Sequence, residues 1–136
     1  MTKAIPTIQK FMTTTPHSVG PAQPLSVAHK MMHDHHIRHL PVLDGGRLVG
    51  MLTERDVALI TAMKDVDATK TTVEDAMSTS VYSVSPDAAL DEVAVAMAEH
   101  KYGSAVVLQN AKVVGVFTTV DACRALAELL RGRLAK

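Results

Sequence analysis

The sequence predicts a mixed α/β (α+β) fold of two tandem β-α-β-β-α repeats related by pseudo-two-fold symmetry, with the sheets packed together and the helices outside. Three observations carry this. The chain repeats itself at a spacing of 65 residues. Each copy alternates β-branched runs with apolar positions at three-to-four spacing. Aromatic side chains make up only 3% of residues, so Val, Leu, Ile, Ala and Met must fill the core, as they do where helices pack on β-branched strands.

The duplication is direct. Between Met12–Asp56 and Met77–Asp121, 14 of 45 aligned pairs are identical, and LPVLDGGRLVGMLTERDVA falls on AVVLQNAKVVGVFTTVDAC without a gap. Each copy opens on a short helical lead-in, Ile8–Met12 or Val73–Met77, and continues through an extended stretch at Ser18-Val19 or Ser83-Val84. A helix follows from Leu25 or Leu90, with Pro24 at the first helical position of copy one. Leu25, Ala28, Met32 and Leu90, Val93, Met97 mark its buried face. Two β-branched runs come next, 39–43 with 47–52 and 104–108 with 112–117, joined by hairpin turns at Asp44-Gly45-Gly46 and Asn110-Ala111. A second helix, 54–63 or 119–131, closes each copy. The boundaries are therefore repeat 1 at 7–63, a polar linker at 64–72 and repeat 2 at 73–131. One copy is too short to bury a sufficient core alone, so two should share one.

Composition narrows the function. Fourteen basic residues balance fourteen acidic ones, which gives no general attraction to nucleic acid or anionic lipid. A single cysteine, Cys123, fits a reducing compartment and reads as a helix packing residue. No apolar run reaches the roughly 18 residues a membrane helix needs, and MTKAIPTIQKFM lacks a signal-peptide core, so a cytoplasmic protein is expected. Nothing resembles a nucleophile elbow, a P-loop or a CxxC pair, so the expectation is no enzyme and no required cofactor.

The repeat unit, with HLPVLDGGRLVGMLTERD and SAVVLQNAKVVGVFTTVD, resembles the cystathionine-β-synthase-type (CBS) domain, two of which in tandem form a Bateman module. The resemblance covers about residues 7–130. It implies a regulatory module that binds adenosine-containing ligands in clefts between the repeats. AMP, ADP and ATP lead, ahead of S-adenosylmethionine, NAD and cyclic dinucleotides. It further implies a homodimer, energy sensing, and signalling in trans to an unidentified protein target, with no nucleic-acid or membrane partner.

Gly50-x-x-Thr53-x-x-Asp56 and Gly115-x-x-Thr118-x-x-Asp121 match the family's ligand signature. In physical terms Thr followed three residues later by Asp at a helix start is also a capping box, complete without any ligand. The same geometry suits a nucleotide, because a helix N-terminus favours phosphate, a carboxylate accepts ribose hydroxyls, and a glycine lets the ligand approach the backbone. The resemblance assigns Asp56 and Asp121 to ribose. It assigns Thr53 and Thr118 to phosphate, with Arg38 and His39 as basic phosphate contacts in copy one. It places Thr15, Pro16, His17, Ile37, Ser80, Val81, Tyr82 and Tyr102 around the adenine. Copy two has Gly103-Ser104 where copy one has Arg38-His39, so the two sites should be unequal.

Five of the seven histidines lie within residues 29–39. His29, His33 and His36 have the spacing of a metal half-site on one helix. Without an H-E-x-x-H pattern or a nearby second carboxylate, they read as solvated, with His35 and His100 at helix C-termini. Two other readings stand beside the nucleotide module: a ligand-free structural or dimerisation unit whose motifs are only caps, and a histidine-cluster metal-binding protein. The last helix, with Ala122, Leu126, Leu129 and Leu130 on one apolar face, is expected to serve the core and a dimer contact.

Overall fold

The computed structural model describes residues 4–14 and 17–134. They divide into two compact units, a continuous one at Pro16–Val81 and a split one formed by Met1–Thr15 with Tyr82–Lys136.

The continuous unit holds α1 (Leu25–His35), β1 (His39–Asp44), β2 (Arg47–Thr53), α2 (Glu54–Thr61) and α3 (Val73–Ala76). β1 and β2 pair antiparallel, and Val19 adds a single parallel bridge to Val42. The two-residue turn between them places Gly45 and Gly46 at φ +60° and +83°, the left-handed pair a tight hairpin requires. The core is Val19, Leu25, Ala28, Met32, Leu40, Val42, Leu52, Val57 and Val73. Leu25, Ala28 and Met32 form the buried stripe of α1 that the spacing predicts.

The split unit repeats this plan with a 3₁₀ turn (Ile8–Lys10), β3 (Ser83–Val84), α4 (Leu90–His100), β4 (Ser104–Gln109), β5 (Lys112–Thr118) and α5 (Thr119–Leu134). β3 runs parallel to β4, and β4 pairs antiparallel with β5. Its core is Ile8, Leu90, Val93, Met97, Ala105, Val107, Phe117 and Ala125. Both hairpins carry a register shift at the same repeat position, after Val42 and after Val107.

The compact units are cut differently from the sequence repeats, because the lead-ins are exchanged. Ile8 is buried with the second copy and Val73 with the first. The exchange has a hydrogen-bonding cause. Neither α1 nor α4 has a side-chain cap. The Leu25 amide instead donates to the Thr71 carbonyl at 2.8 Å, and the Leu90 amide to the Pro6 carbonyl at 2.9 Å. In return, Val73 N–H donates to Gln23 and Ile8 N–H to Ala88. Each lead-in thus satisfies a helix start that its own sequence copy leaves open.

Three local expectations are corrected. Pro24 is the cap residue, with ψ at 143°, and the helix begins one residue later at Leu25. Cys123 is exposed on α5 rather than packed. Leu126, Leu129 and Leu130 are also exposed, so of the expected apolar face only Ala122 packs against the core, beside Asp121 and Ala125.

Candidate functional site

The backbone turns from strand to helix at Thr53, which is extended at φ −112°, ψ 160° before α2 begins. Its hydroxyl accepts from the Asp56 amide at 3.1 Å, and the Asp56 carboxylate accepts from the Thr53 amide at 2.9 Å. The capping box is complete, and it uses only Oδ2 of Asp56. Oδ1 takes no hydrogen bond among the described residues, and Asp56 is half-buried. The loop before β1 crosses this helix start, where the Arg38 carbonyl accepts from the Glu54 amide at 2.9 Å. The Arg38 side chain is exposed. Met32, His33, His36, Ile37, Arg38 and Glu54 surround a polar recess of about 250 Å³ there.

At the matching point of the split unit the carboxylate has more partners. Asp121 is 4% exposed. Its Oδ2 accepts from the Thr118 amide at 2.9 Å and the Thr118 hydroxyl at 3.2 Å. Its Oδ1 accepts from the Thr13 hydroxyl at 2.8 Å, with Arg124 Nη1 at 3.6 Å. Thr13 and Arg124 did not stand out in the sequence. Among the described residues, their repeat counterparts Ser78 and Leu59 make no such contact with Asp56, and the Leu59 side chain has no polar atom to make one. A larger recess of about 350 Å³ lies along α4, but Asp91, Glu92 and Glu99 line it, which disfavours phosphate.

The signature glycines do not face a ligand. A Cβ on Gly50 would lie 2.6 Å from Met77 Sδ and 2.9 Å from the Ser78 carbonyl oxygen. On Gly115 it would lie 2.7 Å from Met12 Sδ and 2.9 Å from the Thr13 carbonyl oxygen. The close backbone approach is real, but the exchanged lead-in makes it. Ser78 and Thr13 hold those lead-ins by paired backbone bonds to Met51 and Val116, all at 2.9 Å.

Of the expected adenine contacts, Thr15 and Pro16 lie outside the described residues. His17 stacks on His35 with ring centroids 3.8 Å apart. Ile37, His39 and Val81 are half-buried in the same unit, and Ser80 is exposed. In the split unit Tyr82 stacks on Tyr102 at 4.9 Å, and Tyr102 on His100 at 5.1 Å. Burial, then Tyr102 and Glu92, push the Tyr82 phenol above its ordinary range. The sequence brought out both tyrosines but not their mutual stacking.

His29, His33 and His36 are exposed. Asp34 beside them is engaged by Lys30 Nζ at 2.8 Å, a hydrogen bond that holds its carboxyl below the usual range. Among the described residues, no three His, Cys, Asp or Glu side chains gather as metal ligands. No helix of the described residues is long and apolar enough to cross a membrane.

Comparison with known proteins bears on the family and the fold. The CBS domain family model matches residues 8–61 and again 73–128. The CBS domain-containing protein YhcV of Bacillus subtilis is 32% identical over 114 residues, covering 84% of this chain and 81% of YhcV. Hypoxic response protein 1 of Mycobacterium tuberculosis is 31% identical over 123 residues, covering 90% and 86%. A crystal structure of a Hypoxic Response Protein I with two coordinated zinc ions superposes with a TM-score of 0.74 at 30% identity, covering 89% and 99%. The CBS domain pair of MJ0100, solved with 5′-methylthioadenosine and S-adenosyl-L-methionine, superposes with a TM-score of 0.80 at 27% identity, covering 92% and 98%.

Proposed function

Because the chain belongs to the CBS domain family, with two copies in tandem, we propose that it is a non-catalytic regulatory module for an adenosine-containing ligand, signalling to a protein partner in trans. AMP, ADP or ATP is the ligand class this reading favours, and a homodimer is its working form. One observation carries it. The half-buried Asp56 carboxylate keeps one oxygen without a hydrogen bond among the described residues, at the start of α2, where the loop that carries the exposed Arg38 is bonded to the Glu54 amide.

The chemistry follows from those groups. Asp56 Oδ1 accepts from ribose hydroxyls while Oδ2 keeps its cap, so binding does not cost the helix its first hydrogen bonds. The Thr53 hydroxyl donates to a phosphate oxygen. Arg38 adds a charged fork of donors, with His39 in support. The MJ0100 pair, solved with two adenosine compounds, supports the ligand class.

A thermal-shift titration with AMP, ADP, ATP, S-adenosylmethionine and NAD tests the reading, with zinc run beside them. At ~100 times its dissociation constant, a ligand should stabilise the fold by about 2.7 kcal/mol. A saturable shift with one adenosine compound, lost in Asp56→Asn, is the expected result. Both capping boxes are complete without a ligand, which is what a purely structural module would also have. A flat response to every adenosine compound favours that module, and a response to zinc alone returns the histidines to the centre.

A further inference from the structure

We infer that the chain takes one adenosine ligand rather than two, at the Asp56 end of the continuous unit, and that Thr13 holds the Asp121 end shut. The inference rests on the proposed function and narrows it to one of two motifs with the same signature letters.

Three features of the split unit oppose binding. The Asp121 carboxylate is buried, and both of its oxygens are engaged, Oδ1 by Thr13 and Oδ2 by Thr118. A ribose hydroxyl must reach a carboxylate that is 4% exposed and already accepts from Thr13 and Thr118. The Thr13 backbone is fixed, its amide and carbonyl both bonded to Val116, so opening this end requires its exposed side chain to turn away from Oδ1. The aromatic groups are also committed, since Tyr82 and Tyr102 stack on each other and leave no open ring face between them. Finally, Gly103 and Ser104 stand where the continuous unit has Arg38 and His39, and the cation beside the carboxylate, Arg124, is paired with Asp121 Oδ1 at 3.6 Å.

The chain itself supplies the assay. It has two tyrosines and no tryptophan, and both tyrosines lie in the split unit. Tyrosine emission therefore reports on that unit, while equilibrium dialysis counts ligand per chain. The probes are AMP, ATP and S-adenosylmethionine, with the intact protein, Asp56→Asn and Thr13→Ala. Expected are one equivalent per chain with tyrosine emission unmoved, affinity at least tenfold weaker in Asp56→Asn, and a second, weaker equivalent that quenches emission in Thr13→Ala. Asparagine still accepts a capping bond, so Asp56→Asn should fold, and a melting curve checks this. Two equivalents on the unaltered chain overturn the inference while leaving the proposed function standing. So does binding that survives Asp56→Asn and quenches the tyrosines. A Thr13→Ala protein that still takes one equivalent removes Thr13 as the closing residue. No binding of any probe overturns the proposed function and the inference together.

Discussion

Asp56 and Asp121 stand at equivalent positions of the repeat, each three residues after a threonine at a strand-to-helix turn, and their surroundings separate them. Asp56 uses one oxygen for its cap and leaves the other unbonded among the described residues. Asp121 lends both oxygens to the fold, to Thr118 and to Thr13, 108 residues away in sequence. The contrast teaches that a motif's letters fix a local turn, whereas its availability to a ligand is set by residues outside the motif. Here those residues are the ones that differ between the copies: Thr13 against Ser78, Arg124 against Leu59, and Gly103-Ser104 against Arg38-His39.

The largest effects are expected where the two units are alike. Gly50→Ala and Gly115→Ala each force a methyl into a methionine sulfur and a backbone carbonyl. The carbonyl cannot yield without moving the lead-in, so each substitution should cost about 2–3 kcal/mol. Urea denaturation should return nearly equal losses for the two. A loss at Gly115 alone would mean that the lead-ins are held differently, and the comparison would extend beyond the carboxylates.

The carboxylates should then diverge. Asp121→Asn replaces an acceptor oxygen with a donor amide inside a buried, fully bonded site, at a cost of about 1–3 kcal/mol. Asp56→Asn disturbs one half-buried capping bond and should cost less than about 1 kcal/mol. Denaturation midpoints that fall in the opposite order would remove the distinction between a structural and an available carboxylate.

These pairs also mark what the sequence discloses. The duplication, the hairpins and both capping boxes are local, and each is readable because its partners lie within a few residues. The lead-in exchange is not readable in the same way. Ile8 and Val73 are equivalent, so the pattern says what each packs against but not in which copy. The same blindness sent Gly50 and Gly115 to a ligand when Met77 and Met12 occupy the space. Thr13 escaped notice because its counterpart Ser78 also carries a hydroxyl, and only the fold brings Thr13 to Asp121. The exposure of Leu126, Leu129 and Leu130 was hidden too, since an apolar stripe looks the same whether it faces the core or solvent.

The hairpins give a smaller contrast. One turn uses Gly45 and Gly46 for its two left-handed positions, and the other uses Asn110 and Ala111, at φ +53° and +64°. Alanine is disfavoured there, because its Cβ crowds the following carbonyl. Ala111→Gly should therefore stabilise the split unit by roughly 0.5–1 kcal/mol, the steric relief being partly offset by glycine's greater unfolded-state freedom. A loss of stability would mean that Ala111 makes a contact worth more than its strained backbone.

The smallest effect is the one that bears on the stacked tyrosines. Burial, with Tyr102 and Glu92 nearby, raises the Tyr82 phenol. The fold thus prefers the neutral ring, so its contribution is present below the ordinary phenol value of about 10 and is lost as pH rises through the higher folded value. Followed by tyrosinate absorbance, the Tyr82 phenol should ionise late, and thermal stability should decline over the same alkaline span. Tyr102→Phe keeps the stacking partner and removes its charge, so it should bring Tyr82 part of the way back and leave the burial component in place. A Tyr82 that ionises at the ordinary value would mean that its hydroxyl is open to water.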